Sequence, residues 1–137
     1  MTINLAAMAA EFHDLFNQKF GDGGSGSIAS RKRLHEEEHR ELIEAHARLI
    51  ASFDENDIPA VAHELADNAI LLYGSAHSLG IPLDLVIRHV HEANMAKVWL
   101  DGRVRLNPDG KVTKPPGFRR ADIAGVLEVF RSTEGRE

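Results

Sequence analysis

The sequence predicts an all-α protein of about four main helices, and three observations lead to this prediction. Apolar residues recur every three or four positions along several long segments, which is the period of an amphipathic helix. Turns that contain Gly or Pro separate these segments. No β-rich block is visible in the sequence, and there is no internal repeat. With 137 residues, the chain is expected to form one domain, residues 1–137.

The first two predicted helices are separated by a segment rich in Gly and Ser. Residues 5–19 have an apolar side and are predicted to form the first helix. Residues 20–29 are predicted to be a flexible loop because Gly and Ser favour irregular backbone. Ser30 is the predicted N-cap of a long helix that reaches about Asp54.

Helix-start and helix-stop residues delimit the next predicted helix, which covers residues 57–79. Asp57 is expected to cap its N-terminus, and Pro59 lies in the first turn, where proline is tolerated. Gly80 is expected to end the helix because glycine readily adopts the left-handed conformation.

The C-terminal third is predicted to contain a helix, an irregular arm and a short last helix. A third long helix is predicted over residues 82–99. Residues 100–121 are rich in turn residues and predict a loose hairpin or wrapped arm. The last helix is predicted over residues 123–130. Helices this long on so short a chain are expected to complete their core by forming a homodimer or a homotetramer.

Composition excludes several classes of function. The sequence has no cysteine, which excludes disulfides, thiolate zinc sites and cysteine nucleophiles, and fits a reducing compartment such as the cytoplasm. The N-terminal segment has no basic leader, so we expect no signal peptide. No apolar run approaches ~18 residues, so no membrane partner is expected. The net charge of −5 argues against a nucleic-acid partner.

The charges are distributed unevenly along the chain. Residues 36–67 hold ten acidic and two basic residues, a net charge of −8. Residues 97–120 hold seven basic and two acidic residues, a net charge of +5. The pattern predicts an acidic metal-binding half and a basic phosphate-binding half. The alternative interpretation of the basic half is a solvated loop.

Two acidic pairs predict the metal site. Glu38 and Glu41 are three residues apart in one predicted helix, as are Glu64 and Asp67 in the next, so each pair shares a helix face. Glu37 lies beside the first pair. At ~4 Å and an effective dielectric near 20, each like-charged pair costs roughly 4 kcal/mol, so such a cluster requires protonation or a cation. Oxygen ligands favour Mg²⁺ or Mn²⁺. Taken alone, however, either pair also fits a solvated helix face.

Two other metal sites are conceivable in the same segment, and both are disfavoured. Residues 35–39 read His-Glu-Glu-Glu-His, which matches the H-E-x-x-H pattern of zinc proteases. Both interior positions of this match are charged, and no strand is predicted that could hold a peptide substrate. A ferritin-like di-iron site requires two Glu-x-x-His pairs, and Glu36 with His39 forms the only such pair. The glycines at 21–26 lack the Gly-Lys-Ser/Thr ending of a P-loop.

Basic residues near the C-terminal arm predict a phosphate clamp. Lys97 is predicted to lie in the last turn of its helix, where a cation also interacts favourably with the helix dipole. Lys111 and Lys114 flank a predicted tight turn. Ammonium groups bind phosphates as point charges.

These motifs together resemble the all-α nucleoside triphosphate pyrophosphohydrolase superfamily, which comprises MazG-like and phosphoribosyl-ATP pyrophosphohydrolase-like proteins. Its pattern is Glu-x-x-Glu, a spacer, and Glu-x-x-Asp, which here reads Glu38 to Glu41, 22 residues, and Glu64 to Asp67. The segments 90–97 and 109–115 also resemble it. The resemblance covers roughly residues 9–125, and it implies a MazG-like helical bundle that is completed by dimerisation.

The resemblance also implies Mg²⁺- or Mn²⁺-dependent cleavage of a nucleoside triphosphate between its α- and β-phosphates, giving a nucleoside monophosphate and pyrophosphate. Glu38, Glu41, Glu64 and Asp67 would hold the metal, and Glu37 would bind another ion or help deprotonate the attacking water. The residues implied in substrate binding are Asn94, Lys97, Lys111 and Lys114, with Phe12, His13 and Phe16 near the base.

Three functions remain open at this point. The preferred one is removal of deoxyuridine triphosphate or another non-standard nucleotide. The enzymatic alternative is phosphoribosyl-ATP hydrolysis in histidine biosynthesis. The non-enzymatic alternative is a helical oligomerisation module.

Overall fold

The computed structural model describes residues 1–134, apart from the side chain of Ser25. Its α-helices, in chain order, are α1 (Leu5–Asp14), α2 (Ser25–Ser52), α3 (Ile58–Leu79), α4 (Leu83–Met95) and α5 (Ile123–Glu134). A short 3₁₀ helix, Glu55–Asp57, precedes α3. Within the described residues there is no strand, and one isolated antiparallel bridge joins Leu106 and Val112. The predicted all-α class is therefore confirmed.

The chain forms two compact units, Met1–Ile81 and Pro82–Glu137, the second of which includes the undescribed residues 135–137. The assignment of residues 1–137 to one domain stays a prediction. In the described part of the chain, no single helix is both long and apolar enough to cross a membrane. Among residues 1–134, one bent pair of helices, Glu55–Leu79 with α4, meets the length and composition of a span.

An antiparallel hairpin of α2 and α3 forms the framework of the first unit. The side chain of Asn68 donates to the backbone carbonyl of Glu38 at 3.0 Å. Further toward the start of α2, the imidazole of His35 hydrogen-bonds the hydroxyl of Ser75 at 2.7 Å. Later residues of α3 thus meet earlier residues of α2, as an antiparallel alignment requires.

Helix α1 is shorter than predicted, because it ends at Asp14 rather than near residue 19. Asn17 adopts the left-handed conformation with φ 55°, which Asn tolerates better than most residues and which a helix cannot contain. The backbone N–H of Gln18 then turns back to the carbonyl of His13 at 3.1 Å. The apolar pattern continues through Phe16 although the helical backbone does not.

The prediction of a flexible loop over residues 20–29 is wrong for residues 25–29, which belong to α2, and Ser30 is not the N-cap. Gly24 occupies the N-cap position instead. The backbone N–H of Gly23 donates to the carbonyl of Ser78 at 2.7 Å, and a Cβ at position 23 would lie 2.5 Å from that oxygen. Glycine is required at this close approach, which anchors the start of α2 to the end of α3.

The predicted bounds of the 57–79 helix are confirmed within one residue. Pro59 lies in the first turn of α3, and Gly80 ends it in the left-handed conformation with φ 67°. Asp57 precedes the helix, but its side chain makes no capping hydrogen bond and accepts one from Ser52 instead. Asp57 therefore occupies the predicted N-cap position, although its side chain caps no backbone N–H of the helix.

In the second unit, α4 packs against α5, and an irregular arm connects them. Helix α4 ends at Met95, four residues before the predicted end, so Lys97 lies beyond the helix and not in its last turn. The arm contains a loose hairpin, as predicted: the N–H of Thr113 donates to the carbonyl of Arg105 at 2.7 Å. Helix α5 continues to Glu134, one turn beyond the predicted end.

Few hydrophobic residues of the described chain are buried, and those few are small. The buried hydrophobic residues of the described chain are Ala9, Ala45, Val61 and Ala76. No large side chain among the described residues is fully buried. A single chain therefore leaves much of its apolar surface exposed.

Candidate active site

Three carboxylates meet on the facing sides of α2 and α3. Glu38, Glu41 and Glu64 each offer an oxygen, and these three oxygens lie within 4.8 Å of one another. All three side chains are half-buried. Helix periodicity aligns the first two, and the antiparallel hairpin brings the third to them. The structure thus places three of the predicted metal ligands together.

The electrostatic cost of this cluster is visible at Glu38. Desolvation raises the pKa of the Glu38 carboxyl above its ordinary value, and the negative charges of Glu41, Asp67, Glu64 and Glu37 raise it further, in decreasing order. Each cause disfavours the ionised carboxylate. The cluster therefore has too little positive charge to offset its carboxylates.

Two oxygens of the cluster are suited to a cation. The Oε2 atoms of Glu38 and Glu64 are buried and have no hydrogen-bond donor in the described part of the protein. Buried polar atoms of native proteins normally have a partner. An all-oxygen donor set with two orphaned oxygens fits a hard divalent cation such as Mg²⁺ or Mn²⁺.

The other two predicted acids lie at the margin of the cluster. Asp67 is near enough to raise the pKa of Glu38, but one of its carboxylate oxygens lies 2.9 Å from Nε2 of His63. Glu37 is exposed and also acts on the pKa of Glu38. Their roles as a metal ligand and as a proton acceptor stay predictions.

Asn68 is a residue of the site that the motifs did not identify. Its side-chain amide donates to the backbone carbonyls of Glu38 at 3.0 Å and of Glu64 at 2.8 Å. One side chain thus connects the backbones that carry two of the clustered carboxylates. Its position four residues after Glu64, on the same helix face, is the sequence signal that could have identified it.

The histidines of the H-E-x-x-H pattern do not join the carboxylate cluster. No His belongs to a potential metal-ligand group within residues 1–134. The His35 ring is already engaged by Ser75 on α3. His35 thus contributes to the packing of α2 against α3.

The second unit brings three predicted substrate-binding residues to one cavity. Asn94, Lys97 and Lys114 line a cavity of about 390 Å³. The ammonium of Lys97 donates to the side-chain oxygen of Asn94 at 2.7 Å. Lys111 is not among the residues that line this cavity.

The predicted base-pocket residues of α1 occupy different environments. The rings of Phe12 and Phe16 are mostly exposed and contact each other, with centroids 5.2 Å apart. His13 is buried, hydrogen-bonds Gln18 through Nδ1 at 2.9 Å, and accepts from Arg31 through Nε2 at 3.1 Å. Burial, followed by the positive charge of Arg31, lowers the pKa of His13 and favours its neutral form. Their substrate roles stay predictions.

The sequence comparison agrees with this fold and donor set. The phosphoribosyl-ATP pyrophosphohydrolase family matches residues 9–94, more than half of the chain, and the protein belongs to this family. The family is part of the MazG-like all-α nucleoside triphosphate pyrophosphohydrolase superfamily. Its members are divalent-metal-dependent pyrophosphohydrolases that act on phosphoric anhydride bonds. A search of curated proteins found no match.

Proposed function

We propose that the protein is a Mg²⁺-dependent nucleoside triphosphate pyrophosphohydrolase that removes deoxyuridine triphosphate or another non-standard nucleotide. It cleaves between the α- and β-phosphates and releases a nucleoside monophosphate and pyrophosphate. The proposed site of the reaction is the cytoplasm, a reducing compartment with which a cysteine-free chain is compatible.

The observation that carries this proposal is the cluster of Glu38, Glu41 and Glu64 with its orphaned oxygens. Asp67 completes the donor set from the next turn of α3. A divalent ion held there would neutralise charge on the phosphate oxygens during an in-line displacement. Membership in a pyrophosphohydrolase family supports the same bond class.

The side chains supply the remaining chemistry. Water attacks the α-phosphorus, and the bond from this atom to the bridging oxygen breaks, so the bridging oxygen leaves with pyrophosphate. The exposed carboxylate of Glu37 accepts the proton of the attacking water. Lys97 and Lys114 stabilise the negative charge of the phosphates as point charges.

The second candidate substrate is phosphoribosyl-ATP, and the family match favours it. This substrate also carries a triphosphate, so the same bond is cleaved by the same groups. The two candidates differ in what must be recognised beyond the phosphates, which is a nucleoside alone or a nucleoside with a second phosphorylated sugar.

The decisive experiment incubates the protein and Mg²⁺ with canonical and modified nucleoside triphosphates and with phosphoribosyl-ATP. Pyrophosphate and orthophosphate are scored separately, and Glu41→Gln serves as the inactive control. Pyrophosphate from a non-standard nucleotide supports the first candidate. Pyrophosphate from phosphoribosyl-ATP alone, with restored growth of a histidine-requiring strain, supports the second. Orthophosphate would refute both, and a lack of any product would favour the oligomerisation module.

We also propose that the enzyme is a homodimer or homotetramer assembled through α3. Ile58, Leu65, Leu72 and Leu79 recur every seven residues along α3 and are 50%, 51%, 54% and 44% exposed. A heptad line of large apolar residues is the pattern by which helices pack against a partner helix. Charge in the middle of this line should dissociate the oligomer.

Leu72→Glu is therefore expected to be a monomer at a concentration where the wild type is not, as measured by light scattering after size exclusion. Ile70→Glu is the matched control, because Ile70 is also exposed (47%) but lies on another side of α3. Dissociation by both variants, or by neither, would contradict the proposed interface.

A further inference from the structure

The cavity that holds Asn94, Lys97 and Lys114 contains a third cation that no motif identified. Arg120 lines the same cavity of about 390 Å³, which is within the size range of small-molecule sites. Arg120 is exposed to solvent. The full lining is Val90, Ala93, Asn94, Lys97, Lys114, Phe118, Arg120, Ala121 and Ile123.

No carboxylate lines this cavity in the described part of the chain. Asp122 is the acid adjacent in sequence, and its carboxylate accepts from the backbone N–H of Gly125 at 3.0 Å, at the start of α5. Glu92 faces His89 at 3.8 Å. Three cations and one amide therefore remain without an acidic partner among the cavity residues, which is a composition suited to a polyanion.

The aromatic ring of Phe118 connects the two lysines. The Nζ atom of Lys97 lies 6.0 Å from the ring centroid, and that of Lys114 lies 5.7 Å from it. Both distances are within the range in which the negative ring face attracts an ammonium. Two like charges that would otherwise move apart are thereby held on one ring, which itself lines the cavity.

We propose that Arg120 completes, with Lys97 and Lys114, a three-cation cavity that binds the oligophosphate part of the substrate, and that Phe118 positions the two lysines. The proposal rests on the proposed function for the identity of the substrate, but the predicted ligand is any linear oligophosphate. Arg120 adds what lysine cannot supply, a planar fork of donors that can bind two phosphate oxygens at once.

The test measures tripolyphosphate binding to the full chain with Mg²⁺ by calorimetry, which requires no turnover. Arg120→Gln should weaken binding about tenfold or more, since hydrogen bonds to charged groups are among the stronger ones. Arg120→Lys should restore part of the affinity. Arg119→Gln is the matched control, because Arg119 carries the same charge next in sequence but lines a different cavity, together with Trp99.

The positioning role of Phe118 requires a second comparison. Phe118→Leu should weaken tripolyphosphate binding and raise KM for the nucleotide with little change in kcat, whereas Phe118→Tyr should retain the wild-type values because it keeps the ring face. Circular dichroism and melting temperature establish that each variant is folded.

Wild-type affinity in Arg120→Gln, or an equal loss in Arg119→Gln, would overturn the role of Arg120. Wild-type affinity in Phe118→Leu would overturn the role of Phe118, and a wild-type protein that does not bind tripolyphosphate would overturn both. If the wild type hydrolyses no nucleotide but the binding pattern holds, the proposed function fails and the cavity stands. If nucleotides are hydrolysed and Arg120→Gln binds tripolyphosphate like the wild type, the proposed function stands and the role of Arg120 fails.

Discussion

The acidic hairpin of α2 and α3 and the basic segment from α4 to α5 both gather like charges, but they do so by different means. The acids lie on regular helices, and two of their buried oxygens have no hydrogen-bond partner among the described residues. The lysines lie on irregular backbone, and each has a neighbour: Lys97 binds Asn94, and both Lys97 and Lys114 face Phe118. The acidic cluster is incomplete without a cation, whereas neighbouring side chains of the protein hold the two lysines of the basic cavity in place.

This difference indicates how each region should respond to mutation. Loss of a carboxylate should remove a ligand from the metal site and abolish catalysis while relieving repulsion in the metal-free protein. Loss of a cation from the basic cavity should weaken binding of the phosphates.

The largest expected effect is in the acidic hairpin. Glu41→Gln and Asp67→Asn should each lower kcat by roughly 100-fold or more, because the amide oxygen is a poorer ligand for a divalent cation than a carboxylate. Pyrophosphate release measures the effect, and circular dichroism should show an unchanged helix content. Glu44→Gln is the control, since Glu44 lies on α2 outside the cluster and pairs with Arg40 at 3.0 Å. Near wild-type turnover in both cluster variants would refute the metal assignment.

The second-largest effect is expected in the basic segment from α4 to α5. Lys114→Ala should raise KM about tenfold and change kcat less, because the lysine binds phosphate charge in the ground state as well as in the transition state. Lys111→Ala should change KM much less, since Lys111 does not line the cavity. Steady-state kinetics on both variants test this order. An unchanged KM in Lys114→Ala would remove Lys114 from the clamp, and a larger effect at Lys111 would reverse the assignment.

The smallest effect concerns stability in the absence of metal. Because the pKa of Glu38 is raised in the folded protein, the folded state holds this proton more tightly than the unfolded chain does. Its stabilising contribution is therefore complete below the ordinary pKa of 4.5 and is lost as the pH rises through the raised value.

Glu38→Gln cannot lose a proton, so at neutral pH with a chelator it should melt a few degrees above the wild type. Added Mg²⁺ should stabilise the wild type more than the variant, because the variant lacks a ligand. Calorimetry at several pH values measures both. Equal melting temperatures in chelator across the pH range would contradict the repulsion argument.

Helix ends were predicted correctly where a residue with a strong backbone preference sets them. Helix α3 has its predicted bounds because Pro59 and Gly80 act on their own backbone. Helices α1 and α4 were predicted too long because apolar periodicity continues past their ends. In α1, this periodicity gives no sign of the left-handed backbone conformation at Asn17. Residues 25–29 were predicted as loop because their helix depends on docking against Ser78, which is 51 residues from Ser27 in the chain.

The sequence alone determined the helical class and the two acidic pairs, because helix formation and the shared face of residues three apart depend on neighbours within about four positions. It also determined the opposite charges of the two segments. Only the tertiary structure placed Glu64 opposite Glu38 and Glu41, connected their helices through Asn68, and gathered Lys97, Lys114 and Arg120 around Phe118. These contacts join distant positions through packing and irregular backbone, which no local periodicity encodes.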